Sequence, residues 1–385
     1  MRETIIVAGS LAQRPQIGGH TWVFLQYLLG FRRLGYDVLF VDRLEPEMCV
    51  NGDGEPAALG SSVNLSYLAE VMERFELGER WSLLYDGGRE VVGRTRADVV
   101  DAARRSTLLL NVMGFLEDEE ILAAAPVRAF LDIDPGFGQI WKALGLHDLF
   151  RGHDRFLTVG GRIGSADCEV PTVGLEWIPI KPPVELNEWP AHSDRGSRFT
   201  SVASWRGAFG PLEYEGRTLG LRVHEFRRFF ELPGRTPVDH EVALDIHEAE
   251  TDDLSALRSH GWELADPRRV AGDPWSYRDY VQRSAAELMV AKNMYVETRS
   301  GWFSDRSACY LASGRPVLAQ DTGLAGLVPL GEGLLAFSTL EEAAAGVEEI
   351  CGAYERHSRA ARAIAEEHFA AERILPSLLE RLGVR

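Results

Sequence analysis

Lysine is nearly missing from this chain: of 41 basic residues among 385, only Lys142, Lys181 and Lys292 are lysine, and the rest are arginine. Codon usage in a GC-rich genome accounts for such a bias, which also supplies planar guanidinium forks suited to the paired oxygens of phosphate or carboxylate. Positive charge as a whole is scarce, because 58 acidic residues leave a formal net charge of -17. Phosphate-rich partners need clustered positive charge, so no nucleic acid or anionic membrane is expected as the main partner; a local basic pocket remains compatible with the balance. Cys49, Cys168, Cys309 and Cys351 lie far apart with no C-x-x-C pair, which excludes a zinc knuckle or dithiol motif and leaves four reduced, buried thiols as the expectation. No stretch approaches the roughly 20 apolar residues of a membrane span. The short apolar run Ile5 to Ala12 follows Glu3, where a signal peptide carries basic residues. A cytoplasmic protein without integral membrane association is therefore expected. No G-x-G-x-x-G follows the first apolar run, which argues against a dinucleotide oxidoreductase.

What the chain does have is hydrophobic content of 45%, enough for a large core, and a length that suggests two domains at about 150 residues each. Thr4 to Gly9 is a β-branched run closed by glycine, as in a buried parallel strand. A loop through Pro15 and Gly18-Gly19-His20 leads into an amphipathic stretch from Thr21 to Leu34, and Val38 to Asp42 is a second apolar strand, completing a βαβ unit. The pattern recurs at Thr107 to Leu110 and at Arg128 to Ile133, whose following loops should line one cleft at the carboxyl ends of a doubly wound sheet. Residues 178–198, with Pro179, Pro182-Pro183 and Pro190, read as a connecting segment. Alternation resumes with strands at Phe199 to Ser204, Val242 to Ile246 and Pro316 to Gln320. Helices are expected near Leu221 to Phe230, Tyr277 to Glu287 and Ser304 to Ser313, followed by an Ala/Glu/Arg-rich helical tail from Leu340. The expectation is an α/β chain with a Rossmann-like domain over 1–180, a linker over 181–198, a second Rossmann-like domain over 199–365, and a final helix over 366–385.

The most specific segment runs from Ser300 to Ala319: a loop of small residues, Ser300-Gly301-Trp302-Phe303-Ser304-Asp305-Arg306-Ser307, feeds a helix that ends in Leu311-Ala312-Ser313-Gly314-Arg315-Pro316-Val317-Leu318-Ala319. Free N–H groups at a helix start favour an anion such as a diphosphate, although Ser304 or Asp305 also suits an ordinary N-cap. The segment resembles the donor-binding region of GT-B glycosyltransferases, in which a Pro-Ser-x-x-Glu-x-Phe-Gly loop opens a helix ending in Glu-Ala-x-Ala-x-Gly-x-Pro-Val-Val-Ala. One departure stands out: the two glutamates of that family's E-x7-E motif fall on Gly301 and Cys309. Gly18-Gly19-His20 with Gly35-Tyr36-Asp37-Val38 is similar to the family's glycine loop and Gly-His-x-Val. Ser201 to Gly207 resembles the first strand of its donor domain, after which an Arg or Lys clamps the diphosphate.

The resemblance implies a GT-B architecture, two Rossmann-like domains facing each other across a cleft, and transfer of a sugar from a nucleoside-diphosphate sugar to a soluble acceptor, a specialised metabolite or small glycan. It places Gly18, Gly19, Arg206, Ser304, Asp305, Arg306 and Ser307 at the donor diphosphate, and Gln320, Asp321 and Thr322 near the donor sugar, where an amide and a carboxylate can bond hydroxyls. Asp-Thr-Gly is equally a turn. For acid/base work His20 and Asp134 are the candidates: an imidazole titrates near working pH without help, and Asp134 at a strand end can orient it or be the base itself. Asp132 and Asp134 suggest a metal pair, but Asp-Pro-Gly is a turn signal and two carboxylates without further ligands make a poor site, so no metal or other cofactor is expected. Asp239-His240-Glu241, Asp245 and His247-Glu248 likewise lack zinc spacing. Two alternatives remain at this point: a nucleotide-sugar epimerase of the same fold, and a catalytically silent binding or partner subunit.

Overall fold

The computed structural model describes residues 3–192, 194–207 and 209–384. The N-terminal half builds one sheet from β1 (Thr4–Gly9), β2 (Asp37–Leu44), β3 (Trp81–Tyr85), β4 (Glu90–Gly93), β5 (Ser106–Val112), β6 (Arg128–Asp132), β7 (Arg155–Thr158) and β8 (Trp177–Pro179). Their order is β4-β3-β2-β1-β5-β6-β7-β8, parallel throughout except for β4 at one edge. β1 lies between β2 and β5 and is covered on both faces, which is why its sequence is a continuous apolar run.

The C-terminal half repeats the plan with β9 (Arg198–Ser204), a separate hairpin of β10 (Leu212–Tyr214) and β11 (Arg217–Leu219), then β12 (Asp239–Asp245), β13 (Glu263–Ala265), β14 (Ala286–Met289), β15 (Val317–Gln320) and β16 (Leu334–Phe337). The six-stranded parallel sheet has the order β13-β12-β9-β14-β15-β16. Strand order reverses between β1 and β5 in one sheet and between β9 and β14 in the other, and ligands of such sheets bind outside the carboxyl ends at these reversals.

Two segments cross between the halves, and they pair with each other: Val184 N donates to Phe369 O (2.7 Å) and Ala371 N to Val184 O (2.8 Å). The connecting segment is less exposed than its composition suggests, for Trp189 is fully buried with its ring 4.9 Å from that of Trp22. After the second crossing, the helix Ala371–Leu382 packs on the helix Gly18–Arg33, where a Cβ at Gly30 would come within 2.5 Å of Leu375 Cδ1. One apolar cluster consequently runs through both halves, from Ile5 and Phe24 to Tyr277, Phe303 and Leu375.

Three expectations need correction. The helix placed over Tyr277 to Glu287 is Pro274–Arg283, and Ala286–Met289 is a central strand. Its Ala-Glu-Leu-Met text is helix-favouring, but parallel pairing with β9 and β15 decides the outcome. The cysteines are all free, yet Cys49 and Cys309 alone are buried, while Cys168 and Cys351 are partly exposed. The connecting segment opens with an edge strand, β8.

Candidate active site

The carboxyl ends of the two sheets face each other in direct contact. Gly18 starts its helix against the other half: a Cβ there would lie 2.2 Å from the Asp273 carbonyl oxygen, and Trp22 Nε1 donates to Pro274 O at 2.7 Å. Further along, Arg162 N donates to Ser300 O (3.0 Å) and Glu169 N to Thr298 O (2.9 Å), so backbone meets backbone across the cleft. Between them lies a cavity of about 20 Å³, lined by Gln26, Tyr27, Trp302, Phe303 and Asp305 among others. That is room for about one water.

Four chain segments deliver charge to the facing ends. The loop after β1 carries Arg14 and is pinned by Asp42, whose carboxylate accepts from Ala12 N (2.6 Å), Gln13 Nε2 (3.1 Å) and Arg43 N (2.7 Å). Burial nonetheless pushes Asp42 up to about 7. The loop after β6 presents Asp134, and β14 leads into Lys292, whose Nζ donates to both Asp134 oxygens at 2.8 and 2.7 Å. Arg222 opens the short helix after the β10–β11 hairpin; it is buried, donates from Nη1 to Val290 O, and its Nε has no partner among the described residues. Burial, together with the like charge of Arg306, pushes Arg222 down to about 9. Lys292 is likewise lowered, by burial first and then by Arg222 and Arg14 against the pull of Asp134. Arg14, lowered by burial, also feels Asp134, and its guanidinium lies 6.0 Å from the Phe209 ring centre. Three cations thus converge on one carboxylate, an arrangement with spare positive charge for an anion carrying more than one negative charge.

His20 stands beside this group. Its Nε2 is 2.9 Å from Ser10 Oγ, and its ring meets Phe24 edge-on. Burial, reinforced by Arg14, pushes it down to about 3, so the expectation of an imidazole titrating near neutrality is corrected: His20 is neutral here. No hydrogen bond joins it to Asp134 among the described residues. Asp132 faces inward, accepting from Gln139 Nε2 (2.7 Å), Thr158 Oγ1 (2.9 Å) and Asp134 N (3.1 Å), and burial lifts it to about 6. It shapes the turn that aims Asp134. Among the described residues no three His, Cys, Asp or Glu side chains gather as a metal-binding group.

The remaining expected donor residues mostly hold the scaffold. Arg206 is half exposed and paired with Glu250 on both carboxylate oxygens. Ser304 is the N-cap of Asp305–Ala312, accepting from Arg306 N at 3.2 Å. Asp305 lines the small cavity, and burial raises it. Arg306 spends its fork on Glu287 Oε1 (2.5 Å) and Val202 O (2.7 Å), while its Nη2 and Ser307 Oγ are buried without partners among the described residues. Gln320 accepts from Ala291 N at 3.0 Å and bonds Glu225, which fixes the backbone just before Lys292. Asp321 caps a turn at Gly323 and Leu324, and Thr322 donates to Trp302 O. Gly18 and Gly19 are covered by Asp273 and Tyr277. In this structure Gly18, Gly19, Arg206, Gln320, Asp321 and Thr322 make packing and hydrogen-bond contacts within the chain. Sequence reading missed Arg14, Arg222 and Lys292; the rarity of lysine was the available signal for the last.

Two facing Rossmann-like halves with paired crossings and a closing helix define the GT-B architecture. Solved structures of similar fold include an alpha-glucosyltransferase in complex with UDP and a 13-mer DNA, 10% identical over 100% of both chains with a TM-score of 0.60. Anabaena HepE in complex with UDP-glucose is 12% identical over 99% of both chains at a TM-score of 0.59. AviGT4, a glycosyltransferase involved in avilamycin A biosynthesis, is 14% identical over 99% of this chain and 97% of its own at 0.53. No family model matches the chain, and no curated protein matches it in sequence. The alpha-glucosyltransferase structures also correct the reading that net charge excludes nucleic acid: several hold DNA on this same fold. Net charge sums a whole surface, whereas a nucleic acid meets a local patch. Among the described residues no helix is long and apolar enough to cross a membrane.

Proposed function

We propose that the chain is a glycosyltransferase that takes a nucleoside-diphosphate sugar as donor and passes the sugar to an acceptor hydroxyl. The observation that carries the reading is the convergence of Arg14, Arg222 and Lys292 on Asp134 at the facing sheet ends. A donor diphosphate placed there gives these cations a partner of matching charge, and the charge that builds on the leaving diphosphate is stabilised by groups already oriented. In this reading side chains supply the positive charge, and no metal is required. His20 is neutral and steadied by Ser10; an anion bound beside it offsets Arg14 and raises its basicity, which fits it to take the acceptor's proton once the donor is in place. Closure of the halves aligns the reactants and excludes water.

The test is thermal stabilisation by UDP, TDP, GDP and ADP, since a ligand that binds only the folded state raises its stability. Stabilisation by one of them, abolished in Lys292→Met and kept in Arg206→Ala, is the expected result. No shift with any nucleotide at millimolar concentration overturns the reading in favour of a silent partner subunit; sugar rearrangement with donor alone marks an epimerase instead.

A further inference from the structure

Asp134 sits where its chemistry is hardest to explain by folding alone. It projects from the N-terminal sheet, yet both its oxygens are taken by a lysine of the C-terminal sheet, one of three lysines in the chain. The pair is largely buried, with side chains 15% and 19% exposed. Lys292 also lies over the Phe137 ring at 4.8 Å, so its ammonium is held from two sides. Arg222 and Arg14 act on the same carboxylate, and Arg222 keeps a buried Nε without a partner. With Arg306 and Glu287, which also act on Arg222, four cations share two carboxylates; compensation is incomplete, and among buried groups each uncompensated pair of like charges matters.

We propose that Asp134 is a displaceable counter-ion that sets which anions this site accepts: its carboxylate stands in for a phosphate, and only an anion with charge and acceptor oxygens enough for all three cations at once replaces it. A diphosphate meets that condition, with oxygens enough for Lys292, Arg222 and Arg14 together. A monophosphate offers less charge and fewer oxygens and gives up more than it gains by expelling Asp134. The residue therefore selects diphosphate over monophosphate esters, and its departure from Lys292 loosens one ion pair that joins the two halves. This inference rests on the glycosyltransferase reading of the same pocket.

Titration calorimetry with pyrophosphate, orthophosphate, UDP and UMP on the intact chain tests it, comparing wild type with Asp134→Asn. The variant is expected to bind every one of these anions more tightly, about tenfold or more for the monophosphates, so that the preference for UDP over UMP shrinks. Its melting temperature without anion is expected below that of wild type and its anion-induced rise larger. Equal or weaker binding by Asp134→Asn, or an unchanged UDP-to-UMP preference, in a chain whose wild type binds UDP overturns this inference alone. Failure of wild type to bind any of the four overturns the reading beneath it as well. Should Asp134→Asn not fold, the same comparison runs on an Arg14→Gln background, where the second substitution leaves fewer uncompensated cations; there too Asp134→Asn must tighten binding.

Discussion

Gly18→Ala changes one hydrogen into a methyl group, and the structure assigns it an effect on domain closure out of proportion to its size. Gly18 is the first residue of its helix and lies outside the left-handed region, so its own backbone does not demand glycine. The new Cβ, however, would lie 2.2 Å from the carbonyl oxygen of Asp273 and 2.8 Å from that of Ala271, both backbone atoms of the opposite half. No side chain can rotate away to relieve the contact, so the halves must part at that point. Overpacking of this kind costs about 1–3 kcal/mol, which corresponds to a shift of about 5–150-fold toward separated halves. Small-angle scattering and limited proteolysis near the crossings at 184 and 370 read the shift, with Gly352→Ala as control because nothing lies within 4 Å of a Cβ there. An unchanged scattering curve and an unchanged melting temperature for Gly18→Ala refute the argument that this glycine exists to let the two halves touch.

Glu287→Gln removes the charge that compensates the buried Arg306, whose Nε lies 2.5 Å from Glu287 Oε1; a loss of about 3–5 kcal/mol in denaturant unfolding is expected. His240 is buried against Thr236 Oγ1 at 2.8 Å, and burial pushes it down to about 4, so the unfolded chain binds a proton that the folded one refuses. Its contribution is present above the ordinary value of 6.5 and is lost as pH falls toward 4. The protonated carboxyls Asp42 and Asp132 act in the opposite direction, being favoured at low pH and penalised as pH rises through about 7 and about 6. The comparison that isolates the histidine is the difference between wild type and His240→Gln in unfolding free energy at pH 7.5 and pH 5: the variant should lose less on acidification, by up to about 2 kcal/mol. Equal acid sensitivity of the two chains would count against a neutral buried His240.

Much of the fold was readable because buried parallel strands announce themselves. Thr4 to Gly9 and Ser106 to Val112 are largely apolar because both faces of the parallel sheet are covered. β14 was hidden for the opposite reason: Glu287 interrupts it, and the arginine that neutralises this glutamate arrives from a helix 19 residues on. Missing that strand also concealed Lys292, which is only a lysine in a loop until β14 fixes it beside β9. Arg222 was obscured by the hairpin of β10 and β11, which separates it in sequence from β9, the first strand of the C-terminal sheet. Arg206 was favoured because it follows that strand directly, but adjacency in sequence gave no information about Glu250, which occupies its fork. Local signals located the cleft; the charges inside it depend on pairings across as many as 158 residues, as between Asp134 and Lys292.

The helix Ala371–Leu382 closes the apolar side of a helix made much earlier in synthesis, with Leu375 resting on Gly30. At about 5–20 residues per second, the ribosome delivers that cover on the order of tens of seconds after Gly18–Arg33 has emerged. Through that interval Gly30 lacks the Leu375 and Ala371 side chains that cover it, and an early helix depends on a late one for its native surroundings. The two halves, alike in plan, are therefore unequal in biogenesis: the first to be made is the last to be finished.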